Sequence, residues 1–355
     1  MSFIRKVVTE NAPYHVDQKE IVGVVRNLFG GEYDDIERLL KVFGNGQIEG
    51  RYFAAPLEWF EQERGLEEKN DLYIKEAVRM GSRAVTRCLE ESGTAKEEVD
   101  AFIFVSSSGM STPTIDARIM NELRMPLHIK RIPLWGLGCA GGASGISRAH
   151  DYCRAYPDAN VLVLCLELCS LTFQRSDTSK SNLIGTSLFA DGAACALITG
   201  ENAAPSGTGF FVEDTQSTLM QDSEDVMGWD VKDEGLHVVF SRDIPKIIEN
   251  WLKPNVDLFL EKLGKNSDDI IHFIAHPGGK KVLSAYEKSL GMATGKTDIS
   301  RKVLAEYGNM SSPTVLYVLK EFIDKQPEIG EEGLLTALGP GFSSEMLWLK
   351  WGETG

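Results

Sequence analysis

The chain has 355 residues, of which 43% are hydrophobic and 25% are charged. This composition is typical of a globular protein, and the length exceeds that of an average domain, which excludes both a disordered chain and a single small domain. The formal net charge of −15 argues against binding to duplex nucleic acid or to an anionic membrane surface. Any anionic ligand would need a local cluster of basic side chains.

The N-terminal segment, MSFIRKVVTENAP, carries charged residues near its start and has no apolar run of signal-peptide length. Nowhere does the chain approach the run of about 18 apolar residues that a membrane span needs. Its richest stretch, residues 161–169, contains Glu167 and predicts a buried strand. We therefore expect a cytoplasmic protein without a membrane span.

The six cysteines lack paired CxxC spacing, which favours reduced thiols over a disulfide framework. His150 and Cys153 are three residues apart on a predicted helix. Two such ligands without a second pair do not make a metal site, because structural metal sites in proteins use four. We expect no metal ion.

Short β-rich runs alternate with helical stretches along the whole chain. The runs that predict strands are AFIFVSS from Ala101, VLVLCLE from Val161, CALITG from Cys195, IIHFIAH from Ile270 and LLTALG from Leu334. Helical periodicity is clearest after Asp71, Ala143 and Ser312. This alternation predicts an α/β fold in which helices cover the faces of a sheet.

A stretch rich in Gly, Pro and acidic residues, 201–234, predicts a boundary near Ala204. It would divide the chain into an N-terminal half, residues 1–204, and a C-terminal half, residues 205–355.

An internal repeat crosses this boundary. DAFIFVSS, residues 100–107, is similar to DIIHFIAH, residues 269–276, and GCAGG around Cys139 corresponds to GNMSS around Asn309. If a pseudo-twofold axis relates the halves, Cys139 and Asn309 lie at equivalent helix N-termini and point into one central site.

Cys139 is the predicted nucleophile. It follows the strand-like RIPLWGLG and precedes AGGASGISRAHDYC, so it lies at a strand-to-helix turn among small residues. The N–H groups and the dipole of the following helix are expected to lower the thiol pKa from its usual value of about 8.5. The alternative is a buried structural cysteine, since cysteine is among the most buried residue types.

His276 and Asn309 are the predicted partners of this thiol. His276 ends a predicted strand and is followed by PGG, a location typical of catalytic groups in α/β folds. The alternatives are a core histidine, for which His272 on the same strand is a rival, and an asparagine that only caps a helix. Together the three residues would supply a thiolate, a base and an amide donor, which can stabilise an enolate or oxyanion beside a thioester.

Seven stretches carry a resemblance that covers nearly the whole chain: GLGCAGG, VLVLCLELCSLTF, SLFADGAACALITG, GLHVVFSRDIP, FIAHPGGKKVL, LAEYGNMSSPTVLYVL and LGPGFSSEMLWLKW. In this order and spacing they resemble the type III polyketide synthases, which are related to chalcone synthase. The resemblance implies a thiolase-like αβαβα layered fold of two duplicated halves. It also implies a homodimeric acyltransferase that uses acyl-CoA and malonyl-CoA as substrates and has no bound cofactor.

In the implied mechanism, Cys139 takes the starter acyl group, while His276 and Asn309 stabilise the enolate left when malonyl-CoA loses CO2. Phe189 matches an aromatic gatekeeper between the CoA tunnel and the pocket. The residues that the resemblance assigns to substrate binding are Arg38, Lys41, Arg51, Thr112, Cys169, Thr172, Trp229, Val238, Gly278, Gly279 and Ser311. Arg38 and Lys41 share one helical face and are expected to hold CoA together with backbone amides of the HPGG stretch.

Four positions depart from the family pattern. Asn45 replaces a third basic residue, and Thr112 replaces a methionine in a loop expected to cross to the other subunit, with Thr112–Pro113 as a candidate cis bond. Val238 replaces a second aromatic gatekeeper, and Trp229 replaces a glycine of the cavity wall. We expect the resulting channel to suit a fatty acyl-CoA starter and a short alkylpyrone product.

Other activities remain open at this point: a chalcone- or resorcinol-type product, a condensation like that of β-ketoacyl-ACP synthase III, a cysteine hydrolase, and an inactive scaffold of the same fold. HPGG and GNMSS favour the type III family over β-ketoacyl-ACP synthase III, and GCAGG differs from the CGSCW-like context of papain-like proteases. Small changes of cavity shape decide the starter, the number of extensions and the ring closure.

Overall fold

The computed structural model describes residues 1–33, 35–241 and 243–354. Its strands are β1 (Ser2–Asn11), β2 (Tyr14–Asp17), β3 (Gly50–Phe53), β4 (Ala101–Val105), β5 (Lys130–Leu134), β6 (Asn160–Leu168), β7 (Asp191–Gly200), β8 (Gly207–Leu219), β9 (Met227–Lys232), β10 (Gly235–Phe240), β11 (His272–Ala275), β12 (Glu332–Gly339) and β13 (Ser343–Thr354). Its α-helices are α1 (Gln18–Phe29), α2 (Ile36–Asn45), α3 (Leu57–Phe60), α4 (Leu66–Ser92), α5 (Ile115–Glu122), α6 (Gly141–Ala155), α7 (Lys180–Leu188), α8 (Ile244–Ile247), α9 (Lys253–Leu263), α10 (Lys280–Ser289), α11 (Asp298–Tyr307) and α12 (Thr314–Asp324). The predicted α/β class is confirmed.

Nine strands form one sheet in the order β11, β12, β13, β8, β1, β7, β6, β4, β5. At its centre β1 and β8 are antiparallel. Outward from β1, the pairs with β7 and then β6 are antiparallel and the pair with β4 is parallel. On the other side of the centre, β8 pairs with β13 and β13 with β12 in antiparallel fashion, and β12 pairs with β11 in parallel fashion. The sequence of pairings is therefore repeated. Apart from the additional edge strand β5, the two sides have the same topology, which confirms the predicted duplication.

The helices form three layers: one layer lies between the two halves of the sheet, and one layer covers the outer face of each half. α6 and α12 pack against each other in a core that both halves contribute to. α4 packs against β1, β6 and β7 in a second core, and apolar residues of α9 and α10 pack with those of β11, β12 and β13 in a third. This arrangement is the expected αβαβα layering.

The predicted boundary near Ala204 falls in the turn between β7 and β8. β1 pairs with both of these strands. The N-terminal strand therefore ties the two halves into one continuous sheet.

Within the described ranges, no helix has both the length and the apolar character needed to cross a membrane. All six cysteines are free and buried. In the same ranges, no group of three His, Cys, Asp or Glu side chains is placed to hold a metal ion.

Candidate active site

The end of β11 and the beginnings of α6 and α12 converge on a cavity of about 270 Å³, which we call the catalytic chamber. Cys139 lies in a short 3₁₀ turn, Gly138–Ala140, directly before α6. His276 follows β11, and Asn309 precedes α12. All three line the chamber, so the structure brings together the predicted catalytic residues of both halves.

Asn309 has a fixed amide orientation. Its Oδ1 accepts a hydrogen bond from the backbone N–H of Ser311 at 2.8 Å, and its Nδ2 donates to the carbonyl of Gly278 at 3.5 Å. Cys139 Sγ lies 3.9 Å from Oδ1 and 4.0 Å from Nδ2. The backbone of Asn309 also forms a parallel bridge with Phe189. The amide is therefore held beside the thiol by bonds on both sides.

His276 is 1% exposed, and neither of its ring nitrogens has a hydrogen-bond partner among the described residues. Burial lowers its pKa to about 3, because a desolvated imidazole resists protonation. At neutral pH one ring nitrogen is thus a donor and the other an acceptor. Both capacities remain available to a substrate in the chamber.

The pKa of Cys139 moves opposite to the predicted direction. Burial raises it to about 11, and hydrogen bonding with the Ser311 and Asn309 side chains offsets only part of this rise. The helix dipole acts on a thiol that is only 7% exposed, and the loss of water outweighs it. The resting site therefore holds a neutral thiol and a neutral imidazole.

Two unusual backbone conformations position the thiol. Gly138 has a φ of +47°, and a Cβ at this position would lie 2.7 Å from Cδ of Pro340, so a larger residue before Cys139 would be strained. Ser311 has a φ of +61°, which is uncommon for a residue other than glycine. The side chain of this predicted substrate contact acts on Cys139, because it opposes the rise of the thiol pKa.

Phe189 stands between the catalytic chamber and a second cavity, which we call the inner cavity. Phe189 lines the inner cavity, and its ring centroid is 5.6 Å from that of Phe240, which lines the catalytic chamber. The ring of Trp229 is equally close to Phe189, at 5.6 Å. Trp229 and Val238 are paired residues of the β9–β10 hairpin.

The inner cavity collects four of the residues assigned to substrate binding: Arg51, Cys169, Thr172 and Val238. Sequence reasoning missed its opposite contributor, helix α1, which supplies Ile21, Val24, Val25 and Leu28. The spacing of these four residues is that of one helical face, and this periodicity was the available signal.

Arg51 has a structural task besides its predicted contact with substrate. Its side chain is fully buried, and Nη1 donates to the carbonyl oxygens of Thr186 at 2.8 Å and Phe189 at 2.5 Å. Burial lowers the pKa of the guanidinium to about 9, while the charge of Asp191 opposes this shift. Arg51 thus anchors the segment that carries the gatekeeper.

The outer part of the catalytic chamber is lined by Asn45 of α2 and by Gly278, Gly279, Lys280 and Lys281. Both lysines are exposed. They stand in the HPGGKK stretch, for which the sequence predicted binding only by the backbone amides of the glycines.

Arg38 and Lys41 are exposed residues of α2. Arg38 lies 3.8 Å from Asp35 in an ion pair. Val42, one position beyond Lys41 and one helical turn from Arg38, lines the chamber. Neither Arg38 nor Lys41 is among the residues that line the chamber, so their predicted contact with CoA stays a prediction.

Thr112–Pro113 is a cis peptide bond, as predicted. It lies in the loop between β4 and α5. The crossing of this loop to another subunit stays a prediction.

A family model described as "Chalcone and stilbene synthases, N-terminal domain" matches residues 56–202, and one described as "Chalcone and stilbene synthases, C-terminal domain" matches residues 212–351. The chain belongs to the chalcone and stilbene synthase family. It is 50% identical to the "Putative chalcone synthase" of Bacillus subtilis (strain 168), over 99% of each chain. It is 33% identical to 1,3,6,8-tetrahydroxynaphthalene synthase of Streptomyces peucetius subsp. caesius, over 98% of this chain and 93% of the relative.

The solved structure of 1,3,6,8-tetrahydroxynaphthalene synthase from Streptomyces coelicolor A3(2), a bacterial type III polyketide synthase, has a TM-score of 0.93 with this chain. It is 30% identical and covers 99% of both chains. These matches confirm the resemblance and the thiolase-like fold. The protein is a type III polyketide synthase, an acyltransferase that catalyses a decarboxylating condensation. The family assignment favours this activity over a cysteine hydrolase.

Proposed function

We propose that this type III polyketide synthase loads a fatty acyl group from CoA onto Cys139, extends it with malonyl-CoA and releases a short alkylpyrone. The observation that carries the proposal is the inner cavity, which adjoins the gatekeeper and has a mostly aliphatic and aromatic wall. Apart from the residues named above, this wall includes Phe53, Leu57, Phe60 and Phe173.

The chemistry follows from the polar groups of the catalytic chamber. Cys139 transfers its proton to His276 and attacks the starter thioester, so that CoA leaves as the thiol and the acyl group stays on sulfur. Malonyl-CoA then loses CO2, and the electron pair of the broken C–C bond forms an enolate whose oxygen His276 and Asn309 stabilise. The enolate carbon attacks the acyl–sulfur carbonyl, which frees Cys139 and leaves a CoA ester two carbons longer.

The size of the inner cavity favours an alkyl chain over a bulky ring. Its volume is about 50 Å³, against about 270 Å³ for the catalytic chamber. A flexible chain can enter such a narrow apolar space, whereas a coumaroyl ring carrying three acetate units needs a wider one. With only two or three extensions, attack of an enol oxygen on the thioester carbonyl gives a pyrone and releases the product.

Basic side chains at the outer end of the catalytic chamber support the use of CoA esters. Lys280 and Lys281 line the chamber, and Arg38 and Lys41 are exposed residues of α2, the helix that also carries the lining residues Val42 and Asn45. A net charge of −15 repels a polyanion from the chain as a whole. The phosphates of CoA are therefore expected at this local cluster. The proposed reaction uses CoA thioesters as substrates and no bound cofactor or metal ion.

The starter and product are tested by mass spectrometry of products formed from malonyl-CoA and a ladder of acyl-CoA starters, from short aromatic to long fatty chains. We expect fatty acyl-CoA to be used about tenfold or more better than coumaroyl-CoA, a ratio that a few methylenes in an apolar pocket can supply. Trp229→Gly should lengthen the products by at least one acetate unit, because it removes the ring that packs on Phe189.

Val231→Gly is the matched control, since Val231 lies on the same strand as Trp229 and is 57% exposed. It should leave the product profile unchanged. Two combined results would contradict the proposed starter and product. The product profile would be unchanged in Trp229→Gly, and the wild type would either prefer coumaroyl-CoA or form aromatic products from malonyl-CoA alone.

We propose a cytoplasmic homodimer whose contact includes the edge strand β5 and the loop before α5. β5 is one of the two edge strands of the sheet, and the nearby side chains of Trp135 and Met110 are 55% and 37% exposed. An unpaired strand edge with large apolar side chains beside it is typical of a surface that a second copy covers. Light scattering at micromolar concentration should give twice the chain mass; a monomer would contradict this proposal.

A further inference from the structure

Tyr286 brings an additional polar group to the catalytic chamber. It lies on α10 and lines the chamber together with Cys139, His276 and Asn309. The side chain is 0% exposed, and its ring packs edge-on against Phe273 of β11, with centroids 5.7 Å apart. The ring is therefore held by the core, while the residue lines the same chamber as the three predicted catalytic groups.

The hydroxyl of Tyr286 has no hydrogen-bond partner among the residues that the structure describes. Leaving a buried hydroxyl unpaired destabilises the fold, whereas a phenylalanine would fill the same space without that cost. Burial, together with the nearby Cys139, raises the pKa of the phenol above its usual range. The group therefore stays protonated and is a neutral donor without an acceptor.

Other polar groups of the chamber are also unpaired, which indicates that the acceptor for the Tyr286 hydroxyl comes from the substrate. Both ring nitrogens of His276 also lack partners among the described residues, and α10 begins four residues after His276. A thioester carbonyl bound between His276 and Asn309 brings an oxygen acceptor into this space, and charge on that oxygen grows as CO2 leaves.

We propose that the Tyr286 hydroxyl donates a hydrogen bond to the thioester carbonyl oxygen of malonyl-CoA and, with His276 and Asn309, stabilises the enolate. The proposal rests on the proposed function and adds a third donor to it. Preorganised donors in a site without water stabilise a developing oxyanion more than the neutral carbonyl. Tyr286 should therefore affect the rate of decarboxylation more than the binding of substrate.

The test measures CO2 release from malonyl-CoA by Cys139→Ala, in which extension cannot compete, with and without Tyr286→Phe. We expect kcat to fall about tenfold or more, KM to change by less than about twofold, and the melting temperature to stay equal or rise. Tyr317→Phe is the control, because its hydroxyl is already bonded to the Glu10 carbonyl and to Asn11 Oδ1. It should lower the melting temperature and leave kcat unchanged.

A Tyr286→Phe protein with unchanged kcat would overturn the proposal. So would a rise of KM at constant kcat, which would assign the hydroxyl to the CoA arm instead of the reacting carbonyl. If Cys139→Ala with intact Tyr286 releases no CO2, the proposed function itself fails, and the two failures are thereby distinguished.

Discussion

Cys139→Ala is expected to abolish polyketide formation and to leave the decarboxylation of malonyl-CoA in place. The sulfur is the only group of the chamber assigned to carry the acyl chain, whereas the enolate needs the donors on His276 and Asn309. Asn309→Ala should lower the rate of CO2 release by about a hundredfold or more, the effect typical of removing one oxyanion donor. Product mass spectrometry and CO2 release measure the two activities separately.

Cys153→Ala is the matched control for the nucleophile, since Cys153 is a buried thiol on α6, 1% exposed, and lies in the central core. It should keep both activities. Polyketide formation by Cys139→Ala, or undiminished CO2 release by Asn309→Ala, would contradict the division of labour.

Most of the strands and helices that position this site could be predicted from the sequence, because they follow from local patterns. Strand and helix runs alternate, and Cys139, His276 and Asn309 each lie at a junction between such runs. Because junctions at equivalent positions of two duplicated halves meet across a pseudo-twofold axis, the three residues could be placed together before any coordinates. The family motifs added Phe189 and the pocket residues in the same way, since they lie within continuous, recognisable stretches.

What the sequence could not supply depends on contacts between distant segments. The rise in the pKa of Cys139 comes from the depth at which the turn is buried, which no local pattern records. Helix α1 lines the inner cavity across more than a hundred residues of chain from Cys169. From sequence, Tyr286 is an ordinary core aromatic of an amphipathic helix; only the structure shows that it lines the chamber and that its hydroxyl has no partner among the described residues.

Arg51→Met is expected to lower the free energy of unfolding by about 3 kcal/mol or more. The change removes the desolvation cost of the guanidinium, but it leaves the buried carbonyls of Thr186 and Phe189 without their donor. It also removes the positive charge that lowers the pKa of Asp191, a buried carboxyl whose pKa burial raises to about 7. Chemical denaturation measures the loss, and polyketide formation should fall with it because Phe189 loses its anchor.

The loss should grow as the pH rises from 6 to 8. Asp191 has a folded-state pKa above its unfolded value of about 3.9, so the folded chain binds the extra proton and its stability falls as the pH rises through the folded-state pKa. Without Arg51 that pKa rises further above 7 and the fall continues to higher pH. Arg87→Met is the control, because Arg87 also donates to a backbone carbonyl, that of Thr9, but its side chain is 43% exposed; it should cost less than about 1 kcal/mol at either pH. An Arg51→Met protein as stable as the wild type, or one whose deficit shrinks towards pH 8, would show that Arg51 is not the anchor of the gatekeeper segment.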